Sequence, residues 1–303
     1  MNGLTPGDVP VCWRCRIRCW LYARAVSEQR REPSDGTDEM VLGRPSAALS
    51  PYVDRYIGYR QERLSSGRHQ GLPSRHMTLI ISLADPVTVL TMPGLPGSAH
   101  TFPGLISGLH AGPVTIAADR LQFGIHVDLT PWAAGALLGH PAGVLAGGVY
   151  GITSVLGVRG SELLERVREA ADWASRFAAI DLVLGRAQAS GVWTAQPEVT
   201  QAWTALLRTG GRIPVHQLAR HVGWSRRYLS ERFRRELGLA PKTAGRVIRF
   251  DRSHTALTRQ GRPGLAQIAA DCGYADQAHL TREWRELAGQ TPSAWMAAEL
   301  RGG

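Results

Sequence analysis

Hydrophobic and polar residues alternate along 120–129, where every second side chain is strongly apolar. The apolar positions are Leu121, Phe123, Ile125 and Val127. A period of two is typical of a β-strand with one buried face. Three shorter apolar runs, bounded by turn residues, lie at 76–84, 87–92 and 112–118. Together these runs predict a small antiparallel β domain over about 45–130.

From Ser161 onward the apolar residues recur at a spacing of three or four, with arginine and glutamate between them. This spacing continues to Leu184 and predicts amphipathic helices, the first beginning at the Ser161–Glu162 pair. We expect these helices to connect two domains or to form a dimer surface. The stretch 185–197 is polar and contains glycine, so it predicts a domain boundary.

The segment 129–158 carries no formal charge, and a glycine stands at every fourth position over much of it. The glycines are Gly135, Gly139, Gly143, Gly147 and Gly151. Small residues at this spacing are typical of packed transmembrane helices. However, His140 and Pro141 interrupt the run, and strongly apolar residues are sparse. The pattern therefore favours two short amphipathic helices broken at His140–Pro141 over a membrane span.

The last third of the chain contains an internal repeat. LARHVGW at 218–224 aligns with IAADCGY at 268–274, and YLSERFRRELGLAP at 228–241 aligns with HLTREWRELAGQTP at 279–292. Each unit predicts a helix that ends near a glycine (Gly223 or Gly273), a tight turn and a second helix. This is the supersecondary form that places its second helix in a major groove of DNA.

Each predicted second helix has an N-cap residue and a pair of core residues. Ser225 and Asp276 are the N-caps. The core pairs are Leu229 with Phe233 and Leu280 with Trp284. Cys272 aligns with Val222 and is expected to be a small buried residue. The segment 241–260 predicts one long helix, which could hold the two units about one DNA turn, roughly 34 Å, apart.

Positive charge is concentrated in one block of 55 residues, Arg208 to Arg262. The chain has 303 residues, enough for about two domains, and a formal net charge of +10. Between Arg208 and Arg262 there are 14 basic residues and three acidic ones, whereas 263–303 has three basic and five acidic residues. A concentrated positive face is what phosphate binding requires. We therefore expect the first unit to supply most of the salt dependence of nucleic-acid binding.

Composition excludes several other classes of protein. A hydrophobic fraction of 44 % excludes a wholly disordered or collagen-like chain. Four cysteines are too few for a secreted disulfide framework. Catalytic motifs and phosphate-binding loops are absent from the sequence. The histidines of the predicted β domain match no metal-ligand spacing; they are His76, His100, His110 and His126. We predict no catalysis, no metal and no cofactor.

The segment LAQIAADCGYADQAHLTREWRELAGQTPSAW at 265–295 resembles the signature of the AraC/XylS family of bacterial transcription regulators. The resemblance covers about Val215 to Trp295, both units and the linking helix. It implies a DNA-binding domain of two subdomains that reads two successive major grooves of promoter DNA. It also implies an N-terminal effector or dimerisation domain, often a cupin-like β-barrel, in agreement with the strands predicted above.

The resemblance also implies which side chains contact DNA. The family's base-reading positions fall on Arg227, Ser230, Glu231, Gln277, Ala278, Thr281 and Arg282. Arginine can pair with guanine and glutamine with adenine, each through two hydrogen bonds. Glu231 departs from the family, in which arginine is common at this position. The expected phosphate contacts, which include the amides at the two helix starts, are Ser225, Arg226, Arg234, Asp276 and His279.

The first 40 residues contain Cys12, Cys15 and Cys19, a spacing that could supply three ligands of a zinc or iron–sulfur site. No fourth cysteine lies nearby. We interpret 1–40 as a disordered tail or as a start-site artefact, with translation beginning at Met40. One alternative function is a methyl-accepting DNA-repair protein that is also a regulator, with zinc on these cysteines. The other is a membrane-anchored regulator.

The fold class expected is α+β. An effector-sensing or dimerisation domain at 41–190 has a small antiparallel, cupin-like β domain followed by helices. An all-α DNA-binding domain at 197–298 has two helix-turn-helix units joined by a long helix. The expected function is sequence-specific transcription regulation in the cytoplasm, at the nucleoid. Partners would be double-stranded promoter DNA, an unknown small-molecule effector, a second copy of the chain and, for an activator, RNA polymerase.

Overall fold

A computed structural model describes residues 39–62, 67–92, 99–118, 121–188, 193–259 and 261–301. Within these ranges, ten β-strands form two antiparallel sheets. The strands are β1 (Glu39–Gly43), β2 (Val53–Glu62), β3 (Gly67–Gly71), β4 (Met77–Ser82), β5 (Val87–Thr91), β6 (His100–Phe102), β7 (Gly104–Ser107), β8 (Val114–Ala118), β9 (Leu121–Leu129) and β10 (Val149–Gly151). The first sheet has the order β1-β2-β9-β4-β7-β10, and the second has the order β3-β8-β5-β6.

The N-terminal helices follow β9. They are α1 (Trp132–Leu138), a 3₁₀ helix (Ala142–Val144), α2 (Ile152–Leu156), α3 (Val158–Glu169) and α4 (Trp173–Gln188). One face of the first sheet packs on these helices because alternate residues of its strands are apolar. Ile81 on β4, Val127 on β9 and Tyr56 on β2 are fully buried there. Tyr56 stacks on Phe177 of α4, with ring centroids 5.5 Å apart.

The C-terminal part consists of helices. They are α5 (Pro197–Arg208), α6 (Val215–His221), α7 (Arg226–Leu237), α8 (Pro241–Leu257), α9 (Leu265–Cys272), α10 (Gln277–Ala288) and α11 (Pro292–Arg301). Helices α6 and α7 form the first helix-turn-helix unit, α9 and α10 form the second, and α8 joins them. The core pairs of α7 and α10 are all fully buried. The expected α+β class, with its two units and linking helix, is therefore confirmed.

The four strands expected from the sequence correspond to β4, β5, β8 and β9. Strand β2 was not predicted, because its ten residues mix charged and apolar side chains. The long helix expected at 241–260 ends at Leu257. Helix α4 runs to Gln188, so it extends into the boundary expected at 185–197. The cysteine cluster at Cys12, Cys15 and Cys19 and the start-site question at 1–40 lie outside the described residues, apart from Glu39 and Met40.

The glycine-rich segment is built differently from either sequence interpretation. Helix α1 ends before His140–Pro141, but a 3₁₀ turn and the short strand β10 follow Pro141, and the next helix, α2, begins only at Ile152. Gly139 ends α1 in the left-handed conformation, with a φ of 73°. Helices long and apolar enough to cross a membrane are not found in the described part of the chain.

The N-terminal and C-terminal halves of the molecule are in close contact at Gly143 and Gly238. A Cβ atom on Gly143 would lie 2.3 Å from the carbonyl oxygen of Arg235, at the end of α7. A Cβ atom on Gly238 would lie 1.9 Å from that of Ala146, and Gly238 has a φ of 81°. The 3₁₀ turn therefore approaches the first helix-turn-helix unit so closely that side chains are excluded at both positions.

We expect Gly143→Ala to lower the free energy of unfolding by about 1–3 kcal/mol, because the added methyl group overlaps the backbone of α7. Chemical denaturation would measure the change. The matched control is Gly185→Ala in α4, where a Cβ atom meets nothing within 4 Å. We expect that control to raise stability by up to about 1 kcal/mol, as alanine does in helices. Equal destabilisation by both variants would contradict the close interdomain packing.

Candidate nucleic-acid interface and interdomain cavity

Helix α7 carries the first group of expected DNA contacts. Its N-cap is Ser225, whose Oγ accepts a hydrogen bond from the Tyr228 amide at 3.2 Å, as the sequence predicted. Gly223 in the turn has a φ of 74°, a conformation that favours glycine. Arg227 and Glu231 are exposed on the face opposite the buried core. Half-buried Ser230 lies on the same helix, and its hydroxyl donates to the Arg226 carbonyl at 2.8 Å.

Helix α10 is built in the same way. Its N-cap Asp276 accepts a hydrogen bond from the His279 amide at 2.6 Å, again as the sequence predicted. Gly273 in the turn has a φ of 82°. Gln277, Ala278 and Arg282 are exposed, and Thr281 is half-buried with its hydroxyl donating to the Gln277 carbonyl. The two second helices thus present equivalent polar faces away from the core.

His279 is held by backbone contacts at the start of α10. Its Nδ1 accepts a hydrogen bond from the Ala275 amide at 3.3 Å. Because Nδ1 is an acceptor, a neutral ring carries its proton on Nε2. Nε2 lies 3.7 Å from a carboxylate oxygen of Glu283, one turn further along the helix. The ring is therefore oriented by the protein itself.

Part of the positive charge of the block 208–262 is used inside the fold. Buried Glu283 on α10 accepts hydrogen bonds from Arg246 at 2.9 Å and from Arg249 at 3.1 Å, both on α8. Arg246 also pairs with Glu286. These ion pairs dock the second unit on the linking helix. The sequence did not reveal them, because the paired residues are about 35 positions apart.

Other arginines remain exposed. Arg226, Arg227 and Arg234 lie on the surface of α7, and Arg282 lies on the surface of α10. Within the described ranges these four side chains form no ion pair. Exposed guanidinium groups can contact phosphate oxygens or guanine bases without first losing an internal partner.

A cavity of about 400 Å³ lies between the two sheets. The sequence did not predict it, although a signal was present: the polar positions of β9. On β9, Gln122, His126 and Asp128 face this cavity and not bulk solvent. On β4, Thr78 and Ile80 do the same. Both faces of β9 are therefore interior, one packed on helices and one lining a cavity, whereas alternation by itself predicts one buried and one solvated face.

Strand register pairs buried Asp128 with half-buried Arg55 inside the cavity. Arg55 on β2 lies directly opposite Asp128 on β9. The Arg55 Nε and Nη2 atoms each approach Asp128 Oδ2 at 2.7 Å, and His126 Nε2 lies 3.0 Å from Oδ1. Burial raises the pKa of Asp128, but the charges and hydrogen bonds of His76, His126 and Arg55 outweigh burial and hold it well below its usual range.

His76 lies beside this pair, and burial lowers the pKa of its ring. The charge of Arg75 acts in the same direction, against the opposing effects of Asp128, Asp251 and Asp54. His76, Asp54 and Asp128 have potential metal-ligand atoms within 4.8 Å of one another. However, Arg75 Nε approaches His76 Nε2 at 3.4 Å, and Arg55 approaches Asp128. Both arginines disfavour a cation at this place.

The C-terminal part of the chain lines one side of the cavity. It contributes Asp251 and His254 from α8, Gln290, and Trp295 from α11. The His254 and Trp295 rings are 4.8 Å apart, and Trp295 lies 5.7 Å from Trp284, the central core residue of α10. The cavity is therefore in contact with the second helix-turn-helix unit through a cluster of aromatic rings.

We expect the free energy of unfolding to fall as the pH is lowered from about 7 to about 5. His76 is buried with a lowered pKa, so the unfolded chain binds its proton first, near the ordinary histidine value of about 6.5. His76→Gln should flatten this slope in denaturation curves recorded across the range. The control is His140→Gln at an exposed position, which should leave the slope unchanged. If the free energy of unfolding changes with pH at the same slope in wild type and His76→Gln, this pH dependence does not come from His76.

Comparisons with known proteins agree with this architecture. Residues 218–298 match a family model described as a helix-turn-helix domain, and residues 43–150 match a domain of unknown function, DUF6597. No curated protein matches the chain.

Among solved structures, the chain is similar to ToxT from Vibrio cholerae strain SCE256 with an unsaturated fatty acid bound. The identity is 9 % and the TM-score 0.50, over 88 % of this chain and 97 % of that one. An AraC-type regulator from Chromobacterium violaceum is 27 % identical over 36 % of this chain and 96 % of that one, with a TM-score of 0.32. The C-terminal domain of AraT from Geobacillus stearothermophilus is 19 % identical over 35 % and 88 %, with a TM-score of 0.33.

The likeness to ToxT extends across both halves of the chain and concerns the fold alone. The helix-turn-helix match coincides with the repeated units and their N-capped second helices. None of these comparisons indicates an enzyme family. Residues 218–298, which hold the two repeated units and their linking helix, therefore carry a helix-turn-helix domain, in agreement with the AraC/XylS resemblance of the sequence.

Proposed function

We propose that the protein is a sequence-specific regulator that reads two successive major grooves of promoter DNA and has no catalytic activity of its own. The observation that carries this proposal is the equivalent construction of α7 and α10. Each has a capped N-terminus, a buried apolar face and an exposed polar face. Both are attached to one long helix, α8, which limits how they move relative to each other.

Base reading is assigned to the exposed faces of the two second helices. The residues are Arg227, Ser230, Glu231, Gln277, Ala278, Thr281 and Arg282. Arg227 and Arg282 can each give two hydrogen bonds to guanine, and Gln277 can do so with adenine. The hydroxyl protons of Ser230 and Thr281 are used within their own helices, so these oxygens would accept hydrogen bonds from a base. Glu231 would accept from a cytosine amino group.

Phosphate contacts would position these helices in the grooves. Arg226 and Arg234 supply exposed guanidinium groups on α7. The backbone amides that follow Ser225 and Asp276, at the two helix starts, can bind phosphate oxygens. His279, whose ring is oriented at the start of α10 by the Ala275 amide, is the remaining proposed phosphate contact.

We assign residues 41–190 to effector sensing or dimerisation and residues 197–298 to DNA binding. The cavity between the sheets supports an effector-binding role, since its volume of about 400 Å³ suits a small molecule. A fatty acid bound to ToxT, which has a similar fold, supports the same role. A second copy of the chain and RNA polymerase are the proposed protein partners, and the proposed location is the cytoplasm, at the nucleoid.

Selection of binding sites from random DNA duplexes tests the proposal directly. We expect a split motif with two half-elements about one helical turn, roughly 34 Å, apart. A featureless pool would contradict sequence-specific reading.

On the selected site, we expect Arg227→Ala and Arg282→Ala each to weaken binding by about 1–3 kcal/mol and to relax preference at one position. Fluorescence anisotropy would give both affinities. Arg168→Ala is the matched control, because Arg168 is exposed on α3, away from the DNA-binding helices. If both variants lose equal affinity for random DNA, the two arginines are phosphate contacts and the base-reading assignment is wrong.

The salt dependence of binding should come mainly from the first unit. We expect Arg226→Ala combined with Arg234→Ala to reduce the slope of log affinity against log salt by about 2, because each arginine neutralises one phosphate. The comparison set is Arg282→Ala combined with Arg285→Ala in α10, which should change the slope less. If the α10 variants change the salt slope more than the α7 variants, the second unit and not the first supplies most of the phosphate contacts.

A further inference from the structure

We propose that the cavity between the sheets takes a small uncharged organic molecule with several hydrogen-bonding groups, and that the second helix-turn-helix unit senses it through His254 and Trp295. This inference rests on the effector-binding role proposed above and specifies its chemistry. The proposed ligand differs from the fatty acid bound to ToxT, because a fatty acid has a carboxyl group that ionises at neutral pH.

Paired charges inside the cavity disfavour an anionic ligand. Asp128 is already neutralised by Arg55, and Asp251 faces Arg75 with 3.9 Å between Oδ2 and Nη1. Both carboxylates are at most 6 % exposed. A ligand carboxylate would bring a third buried negative charge to a place where both arginines are already engaged. An uncharged ligand avoids that cost.

Neutral hydrogen-bonding groups line the cavity walls. Thr78 and Ser107 supply hydroxyl groups, and Gln70 and Gln122 supply amides. Gln70 Nε2 donates to Thr115 Oγ1 at 3.3 Å, but Gln70 Oε1 is buried and has no hydrogen-bond partner among the residues that the structure describes. An unsatisfied buried acceptor of this kind is costly, and a hydroxyl or amide donor on a ligand would satisfy it.

Apolar side chains and five histidines make up much of the remaining lining; the histidines are His69, His76, His110, His126 and His254. Ile57, Ile80 and Leu105 from the first sheet, with Val149 and Trp295, line the cavity between the polar groups. Charged Arg68 and Asp85 also line it, but both are exposed, so water screens them. A ligand that fits this surface has one apolar face and one hydrogen-bonding edge.

A ligand here would act on one reading helix more than on the other. Trp295 and His254 contact the cavity and pack with Trp284, whose Nε1 donates to Ser253 Oγ on α8 at 2.9 Å. Residues of α7 do not line the cavity; the first unit is held by the close contact at Gly143. The aromatic cluster therefore links the ligand physically to α10.

The first test uses two dyes that share one ring skeleton and differ in a sulfonate group. These are neutral N-phenyl-1-naphthylamine and anionic 8-anilinonaphthalene-1-sulfonate, added to the full-length protein. Energy transfer from tryptophan reports binding. We expect the neutral dye to bind about tenfold more tightly or better, because the sulfonate is disfavoured beside the buried carboxylates. Equal or tighter binding of the anionic dye, or no binding of either, would overturn the proposed ligand class.

Variants assign the binding to the cavity. Asp128→Asn removes the negative partner of Arg55, so the ratio of anionic to neutral dye affinity should rise about tenfold. Glu165→Gln is the control, at an exposed position on α3 that does not line the cavity, and it should leave the ratio unchanged. Ser107→Phe fills the cavity and should abolish neutral-dye binding. If it does not fold, Thr78→Phe serves the same purpose from the adjacent strand. An unchanged ratio in Asp128→Asn, or unchanged binding in the filled variant, would overturn the site.

Hydrogen exchange tests the coupling without DNA. With the neutral dye bound, we expect slower amide exchange in α10 and α11 and unchanged exchange in α7. Trp295→Ala should largely remove the slowing of amide exchange in α10, while the affinity for the neutral dye falls by a smaller factor. Equal changes in both reading helices would overturn the coupling to the second unit. Absence of the split DNA motif with these results intact would count against the proposed regulator function alone.

Discussion

The register of β2, β9 and β4 is the constraint on which both halves of the molecule depend. It directs Tyr56, Ile81 and Val127 to the helices and Arg55 and Asp128 to the cavity. A slip of one residue would exchange the two faces. Charged side chains would then meet α4, and the apolar core would line the cavity. The same pairing therefore maintains the hydrophobic core and places the buried ion pair.

The two halves share one continuous core, and their contacts fall at two separate places. The 3₁₀ turn meets α7 where Gly143 and Gly238 allow the backbones to approach. Trp295 meets the cavity and continues into the aromatic core of α10. Contacts this close transmit small displacements, because packed interiors are nearly incompressible. The first helix-turn-helix unit is thus held by backbone packing, and the second is held by side chains that a ligand can contact.

Net charge overstates how many cations are available for DNA. Arg246 and Arg249 pair with buried Glu283, and Arg232 lies against Glu236. The first two pairs join α8 to α10 and the third lies within α7, so these arginines contribute to the fold and not to phosphate binding. Arg226 and Arg227 differ from these paired arginines because their side chains are exposed to solvent. Fewer guanidinium groups are therefore available to phosphate than the count of basic residues suggests.

The sequence alone determined the features that local spacing controls. The repeat predicted the two units, their N-caps at Ser225 and Asp276 and the buried Trp284, because caps and helical periodicity depend on neighbours a few residues away. The tertiary structure decided what depends on distant pairing. Strand β2, the opposition of Arg55 and Asp128, and the contact of Trp295 with the cavity join residues far apart in the chain, and no local pattern records which strand or helix a side chain will face.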